Sequence, residues 1–539
     1  MLRRLAPVVL AFSLVGGCAA GHSRDYAPVR ERVVGEHVFA MGYARISEIY
    51  LDPVDLRRLT LDGLSGLTKL DPAVSLAVTG TTLEVRTDGR MVGAFDLPVR
   101  GDDPAAWATL TARAAERLRA SSPVLAATDT DAVYQAIFDG IIADLDSYSR
   151  YTGGQRAVDE RSQREGYGGI GVAVRHDETR HEITEVLIGG PAESAGLRAG
   201  DLILAIDGTP TARLTTEEVG ERLRGPAGSL VTLTVGRSPK EGRRLSVRRD
   251  RVIPSTVVAH AEDGVGYLQV DRFNAATAPN LRAAVRRLRA ELGQRARGFV
   301  LDLRGNPGGL LDQAVAVADI FIPGGRIIST RGRHPDSMQV FDARPDDEAG
   351  GLPLVVLIDG RSASAAEIVA AALQDSGRAA LVGSSSFGKG SVQTVTRLPN
   401  DGELFLTWSR IYAPSGYTLH RQGVQPTVCT SLPALDVNAA LRTVRLGGML
   451  PAATLLSWRI RAPEDEIALA QLRETCPWKE HAPDLDLQVA KALLGDPPLY
   501  REALLRAPTA VAERQDAATA GVGLATSATR EGQGSERRP

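Results

Sequence analysis

The chain has 539 residues, 43% of them hydrophobic, enough for about two to four domains with proper cores. A formal net charge of −2 gives no electrostatic reason to expect nucleic acid as a partner. Histidine is scarce, with 8 residues and no ligand-like pair at helical spacing; His176 and His181 read as surface strand residues, no metal or cofactor is expected, and SFGKGS from Ser386 lacks the spacing of a phosphate-binding loop.

At the N-terminus, Arg3 and Arg4 precede the apolar run LAPVVLAFSLV and then GGC, the pattern of a signal peptide rather than a membrane span. Val15, Gly16, Gly17 and Cys18 resemble a bacterial lipobox. That resemblance implies a signal peptide over 1–18, cleavage before Cys18, lipidation of its thiol and retention on a membrane. Ala19 after the cysteine favours the outer membrane, with 19–35 as a tether; an ordinary signal peptide with an incidental cysteine is the other reading.

Residues 36–72 carry apolar residues at helical spacing, and DAVYQAIFDGIIADLDSYSRYT (Asp131 to Thr152) reads as another helix. Between them, 76–99 alternates as a β-hairpin with its turn at Asp88-Gly89. From Gly166 to Arg237 run GYGGIGVAV, then GGPAESAGLRAGDLILAIDGTP, TTEEVGERLRG and LVTLTVGR, in which PAESAGLRAGDLILAIDG combines a short helix, a glycine stop and a hydrophobic strand. This stretch resembles a PDZ domain of circularly permuted bacterial type, expected over 166–252. A peptide would add to its sheet edge, and Gly169, Ile170, Gly171 and Val172 would capture a terminal carboxylate through backbone N–H groups.

Next come a buried strand, a glycine turn and an apolar helix in GFVLDLRGNPGGLLDQAVAVADIFI (Gly298 to Ile322). PLVVLIDG (Pro353 to Gly360) is an apolar strand run, and AAEIVAAALQD after it has strong helix propensity. Ser362 and Ser364 therefore both stand at a helix N-terminus, where unpaired N–H groups and the dipole would receive an oxyanion; either could also be a plain N-cap. Downstream, FGKGSVQT places Lys389 between Gly388 and Gly390, ahead of the strand-like SVQTVTRL. To act as a general base Lys389 must be neutral, so burial must lower its pKa; a solvated loop charge is the alternative.

Together these segments, from about Ala132 to Thr427, resemble the C-terminal processing peptidases, or tail-specific proteases, which are Ser/Lys-dyad serine peptidases. The family places its nucleophile 25 positions before the lysine, which lands on Ser364. The resemblance further implies that Gln393 hydrogen-bonds and orients the lysine amine, and that Gly308 or Gly309 joins Ala365 in donating to the oxyanion. It implies an α/β multidomain chain: a ββα (crotonase-like) catalytic core over 253–430 with the PDZ β-sandwich inserted before it, and helical regions over 36–160 and 431–506. Ala507 to Pro539, rich in small and charged residues, reads as a disordered tail. Ser384, Ser385 and Ser386 stand where the family carries bulkier or charged residues, which would alter the substrate groove.

The implied activity is periplasmic endopeptidase cleavage near unstructured, free C-termini, with the PDZ domain holding or reporting the chain end. A catalytically silent scaffold and a Ser/Lys amidase acting on cell-wall material are the alternatives. An adaptor protein and a second copy of the chain are the further partners expected. In an oxidising periplasm, Cys429 and Cys476 read by count as a disulfide, with two buried thiols as the alternative.

Overall fold

The computed structural model describes residues 26–177, 180–187, 189–238, 241–433, 436–446, 452–480 and 483–505. The signal segment, Cys18 and the tail 507–539 lie outside the described residues. Two compact units are present: one takes residues up to Ser47, Asp55–Asp144 and Leu398–Asn400, the other Glu48–Val54, Leu145–Arg397 and the chain from Asp401.

In the first unit, α1 (Tyr26–Ile49) begins inside the expected tether, and α2 (Leu56–Ser65) follows, capped by Asp55. The expected hairpin is a three-stranded meander of β1 (Val74–Thr79), β2 (Thr82–Thr87) and β3 (Arg90–Asp96), with Asp88 and Gly89 both at positive φ between the last two. Then come α3 (Pro104–Ser121), on which Trp107 is fully buried, and α4 (Thr130–Ile142). Phe39 packs its ring 5.6 Å from both Tyr134 and Phe138, which ties α1 to α4.

The helix expected from Asp131 to Thr152 stops at Ile142. Beyond it the Asp146 carboxylate accepts from the backbone N–H groups of Tyr148 and Ser149 and from the Ser149 hydroxyl, bonds that compete with helical ones. The second unit therefore opens on β4 (Arg150–Thr152) and α5 (Gly154–Glu165).

Where the PDZ domain is expected, a six-stranded sheet holds β5 (Val172–Asp177), β6 (Arg180–Val186), β7 (Leu202–Ile206), β8 (Leu230–Ser238) and β9 (Glu241–Arg248) in spatial order 9-8-7-6-5, with the short strand Thr209–Pro210 pairing on β7, so β5 is an edge. Between β7 and β8 runs α6 (Thr216–Leu223); the TTEE sequence supplies its capping box, with Glu218 reaching back to the Thr215 N–H. His181 is fully buried rather than at the surface, because its Nε2 is shared between the carbonyls of Thr211 and Leu214.

The next region runs β10 (Val257–Glu262), β11 (Val265–Val270), α7 (Thr277–Leu292), β12 (Gly298–Asp302), α8 (Leu311–Ala318), β13 (Arg326–Arg331), β14 (Gln339–Asp342), β15 (Leu354–Ile358), α9 (Ala365–Asp375), β16 (Ala380–Gly383), β17 (Ser391–Arg397), β18 (Glu403–Tyr412) and β19 (Val428–Cys429). The main sheet has order 10-11-12-15-16-19 and is parallel except for its first pair. Its central strands β12, β15 and β16 are buried at every position because both faces are covered, whereas the antiparallel edge β10 alternates. On β15, Leu354, Val356 and Ile358 face the core that includes α7, α8 and α9, while Val355 and Leu357 face the C-terminal helices. A second sheet has order 14-13-18-17, with β4 pairing on β18.

The C-terminal helices are α10 (Val437–Arg445), α11 (Ala452–Arg461), α12 (Glu466–Glu474), α13 (Pro483–Gly495) and α14 (Pro497–Leu504). After α12 the chain crosses this two-sheet region as a strap, and a disulfide joins Cys476 to Cys429 on β19. No helix among the described residues is long and apolar enough to cross a membrane.

Candidate active site

The turn after β15 separates the two candidate serines. Asp359 caps it by accepting from the N–H groups of Gly305, Arg361 and Ser362. Ser362 is fully buried, donating to the Leu303 carbonyl at 2.8 Å and accepting from the Asp359 N–H at 2.9 Å, so its hydroxyl is consumed by the fold. Ser364 instead lines a cleft of about 390 Å³, at the N-terminus of α9. Its φ of 55° is a conformation that non-glycine residues rarely adopt, a strain of about 1–3 kcal/mol that the surrounding bonds must hold.

Much of that holding falls to Glu367, a fully buried residue that the sequence reading passed over. One carboxylate oxygen accepts from the N–H groups of Ser364 at 2.7 Å and Lys389 at 2.9 Å; the other accepts from the Gly388 N–H at 2.7 Å and the Ser386 hydroxyl. The helix N-terminus and the lysine loop are thus stitched to one side chain. Burial pushes the Glu367 carboxyl up from its ordinary range, and these four donors pull it back. The S-x-x-E spacing of a capping box was the available signal for it.

Lys389 lines the same cleft, half-buried. Its Nζ stands 5.2 Å from the centroid of the Tyr148 ring, and among the described residues nothing bonds it to Ser364 Oγ or to Gln393. Burial lowers the ammonium pKa, and Arg150 lowers it further; Asp146 and Glu367 oppose both. Gln393 does not reach the lysine amine as expected. Its Nε2 donates instead to the hydroxyls of Ser391 at 2.9 Å and Thr407 at 3.1 Å, and Thr407 in turn donates to Asp146 at 3.1 Å. A β-bulge between Val392 and Gln393 aims the side chain that way.

The nearby His420 is not a base of comparable strength. Its Nδ1 accepts from Arg410 at 2.9 Å, and burial together with Arg410 and Arg421 brings its pKa down to about 4.

The two glycine donors are also distinguishable. The Gly308 N–H is taken by Asn306 Oδ1 at 2.8 Å, whereas the N–H groups of Gly309 and Ala365 have no partner among the described residues. Both glycines are required by close approach. With φ of 101°, a Cβ on Gly308 would lie 2.8 Å from the Ser364 Cβ; with φ of 149°, one on Gly309 would lie 2.0 Å from the Phe273 carbonyl oxygen. Asn306, also fully buried, clamps this loop to β11 by donating to the Val270 carbonyl, and its own carbonyl accepts the Ala363 N–H.

Ser384, Ser385 and Ser386 are all buried, and none of them lines the cleft that holds Ser364. They bond the strap and the site's interior: Ser384 donates to the Lys479 carbonyl at 3.0 Å, Ser385 to Cys476 and Gln425, and Ser386 to Glu367.

A second cavity of about 700 Å³ lies between β5 and α6 of the PDZ sheet. Ile170, Gly171 and Val172 line it, but Gly169 does not; it pairs with Asp250 in a small antiparallel ladder. Among the described residues no cluster of His, Cys, Asp or Glu has the makings of a metal site.

A family model described as peptidase family S41 matches residues 264–430, and one described as a PDZ domain matches 182–237. The protein is accordingly a serine-type peptidase carrying a PDZ domain. The carboxy-terminal-processing protease of Bartonella bacilliformis is 38% identical over 308 residues, covering 57% of this chain and 71% of the relative. The carboxy-terminal processing protease CtpA of Bacillus subtilis is 33% identical over 309 residues, covering 57% and 66%. Among solved structures, a photosystem II D1 C-terminal processing protease is 24% identical, with coverage of 77% of this chain and 97% of that one and a TM-score of 0.37. The chain belongs to the carboxy-terminal processing proteases of peptidase family S41.

Proposed function

We propose that Ser364 and Lys389 form the Ser/Lys dyad of this peptidase. The observation that carries the reading is that Ser364, half-buried Lys389 and the two unpartnered N–H groups of Gly309 and Ala365 share one cleft. Neutral Lys389 takes the proton of Ser364 Oγ as that oxygen attacks a peptide carbonyl, and the two N–H groups receive the developing oxyanion. The amine leaves with a proton from Lys389, and the lysine then draws a proton from water as it attacks the acyl-enzyme. Gln393, held through its Nε2, keeps its Oε1 available to accept from the lysine amine once the latter turns from Tyr148 toward Ser364.

The PDZ groove receives the substrate's free C-terminus, with the chain adding to the β5 edge and Arg224 at the rim supplying a cation. The separation of Lys389 from Ser364 fits a resting state, since catalytic hydrogen bonds often tighten only on binding. Occupancy of the groove would then complete the dyad. A non-cleavable peptide with a free C-terminus should raise the turnover of a second, short substrate; no stimulation at saturation would remove the gating step.

We read the core as ββα and crotonase-like, on the support of its mostly parallel sheet covered by α7, α8 and α9. The enzyme works in the periplasm, held at the outer membrane through lipidated Cys18, with an adaptor protein and a second copy of the chain as further partners. The test is cleavage of an unfolded protein with a free apolar C-terminus, comparing the native chain with Ser364→Ala and Lys389→Ala. Loss of cleavage in both variants is expected; cleavage retained by either sinks the dyad.

A further inference from the structure

The PDZ groove and the catalytic cleft meet on one helix. Asp159, Ser162 and Gln163 of α5 line the groove, while Glu160, Gln163 and Arg164 line the cleft, so Gln163 borders both. A polypeptide running from the groove to Ser364 must pass this residue. Gln163 Oε1 accepts from Arg272 Nη1 at 3.1 Å, and Arg272 also lines the cleft.

The cleft has three arginines, and two are committed. Arg150 pairs with Glu160 at 2.8 Å and lies over the Phe405 ring at 3.7 Å; Arg164 pairs with buried Glu403 at 3.0 Å and with Glu165 at 2.9 Å. Arg272 is exposed and has no carboxylate partner among the described residues; its one bond goes to a neutral amide. Its place beside the chemistry is fixed by its neighbour. The Phe273 N–H donates to the Gly308 carbonyl at 3.0 Å and the Phe273 carbonyl accepts from Leu310 at 2.9 Å, which bridges this segment to the loop that offers the Gly309 N–H to Ser364.

We propose that Arg272 is a specificity-determining cation that binds a carboxylate of the substrate as the chain passes from the PDZ groove into the cleft. The carboxylate is an Asp or Glu side chain near the scissile bond, or the terminal carboxylate when the tail is short. Guanidinium geometry suits two-point binding of such a group, and the Gln163 amide holds the fork in place without neutralising it. This inference rests on the peptidase reading of the cleft.

The test uses a set of peptides in which Glu or Gln is placed in turn at each position around the cleavage site, each with a free or amidated C-terminus. They are assayed on the full native chain and on Arg272→Gln and Arg272→Lys. Binding of the same peptides to Ser364→Ala, with and without Arg272→Gln, is read by fluorescence anisotropy. At one position the Glu peptide should show a KM or Kd about three- to tenfold below that of its Gln twin, the size of a partly exposed charge-assisted contact. That ratio should collapse in Arg272→Gln, return only in part in Arg272→Lys, which keeps the charge but not the fork, and shrink with added salt. A Glu-over-Gln preference that survives amidation assigns the carboxylate to a side chain; a preference for the free over the amidated C-terminus that Arg272→Gln abolishes, with Glu and Gln twins alike, assigns it to the chain end.

A merely structural arginine would lower the melting temperature and weaken all peptides equally, and that result overturns the proposal, as does finding both the Glu-to-Gln and the free-to-amidated ratios near one throughout, or unchanged by Arg272→Gln. Should no peptide be cleaved while the binding ratio persists, the dyad reading fails and the subsite stands. Cleavage without charge preference has the opposite meaning.

Discussion

Replacing Glu367 with glutamine tests whether one buried carboxylate positions both halves of the dyad. The side chain keeps its size but presents one oxygen where there were two. Each carboxylate oxygen accepts two donors: Ser364 N–H with Lys389 N–H, and Gly388 N–H with the Ser386 hydroxyl. Because a hydroxyl can reverse its role, the amide would best turn its NH2 toward Ser386, leaving the Gly388 N–H orphaned. An orphaned buried donor costs about 1–3 kcal/mol. If that cost falls on the arrangement that presents Lys389 to Ser364, kcat should drop about 5- to 150-fold, since about 1.4 kcal/mol corresponds to a tenfold change. KM should change little, because no bond to substrate is lost. Steady-state cleavage of a fluorogenic peptide measures both constants, and circular dichroism with a melting curve shows that the variant is folded. A folded Glu367→Gln enzyme with native kcat would refute the reasoning and reduce Glu367 to a brace of the fold.

The lysine's environment makes a signed pH prediction. In the proposed dyad the active form is neutral Lys389, so kcat/KM should rise with pH through its pKa, and burial with Arg150 brings that rise below the ordinary lysine range. Arg150→Gln removes a neighbouring positive charge, raises the lysine pKa and should move the rise to more alkaline pH, whereas Arg150→Lys should leave it near the native position; superimposable profiles for native and Arg150→Gln would exclude the electrostatic role. The strap makes a stability prediction. Cys429–Cys476 closes a loop across 47 positions, which in the chain-entropy model contributes about 4 kcal/mol. Beside it, the Trp478 indole N–H donates to the Gly360 carbonyl and the Gly360 N–H donates to the Lys479 carbonyl at 2.9 Å. Reductant should therefore lower both the melting temperature and kcat of the native enzyme, while the Cys429→Ser/Cys476→Ser variant should start low and ignore reductant; an unshifted native melting curve would show that the strap holds without its disulfide.

What could be read from the residues alone was whatever the local pattern determines. Leu354 to Ile358 is apolar at every position because both faces of the strand are covered, and Ala365 to Asp375 is rich in the best helix formers, so β15 and α9 appear in the pattern itself. The TTEE box and the Asp88-Gly89 turn belong to the same class, since each is satisfied within a few residues. The site's misread residues depend on partners far along the chain. Ser384 to Ser386 look like an exposed polar loop until the strap almost a hundred residues later lies across them. His181 looks like a strand surface until two carbonyls from the turn before α6 close on its ring. Ser362 and Ser364 look alike until Leu303 consumes one hydroxyl. A general argument recovers part of what was missed. The loops that present Ser364, Lys389 and Gly309 have no ladder to satisfy their backbone donors, yet they are largely buried, so each donor turned inward must find a side-chain acceptor. Glu367, Asn306 and Asp359 are those acceptors, and each is an acidic or amide residue within a few positions of one turn it holds. In a glycine-rich catalytic loop, then, the nearby Asp, Asn or Glu that does no chemistry is the residue to examine next. It sets the distances over which the chemistry must act; among the described residues the N–H groups of Gly309 and Ala365 stay unpaired, open to the oxyanion of the proposed mechanism.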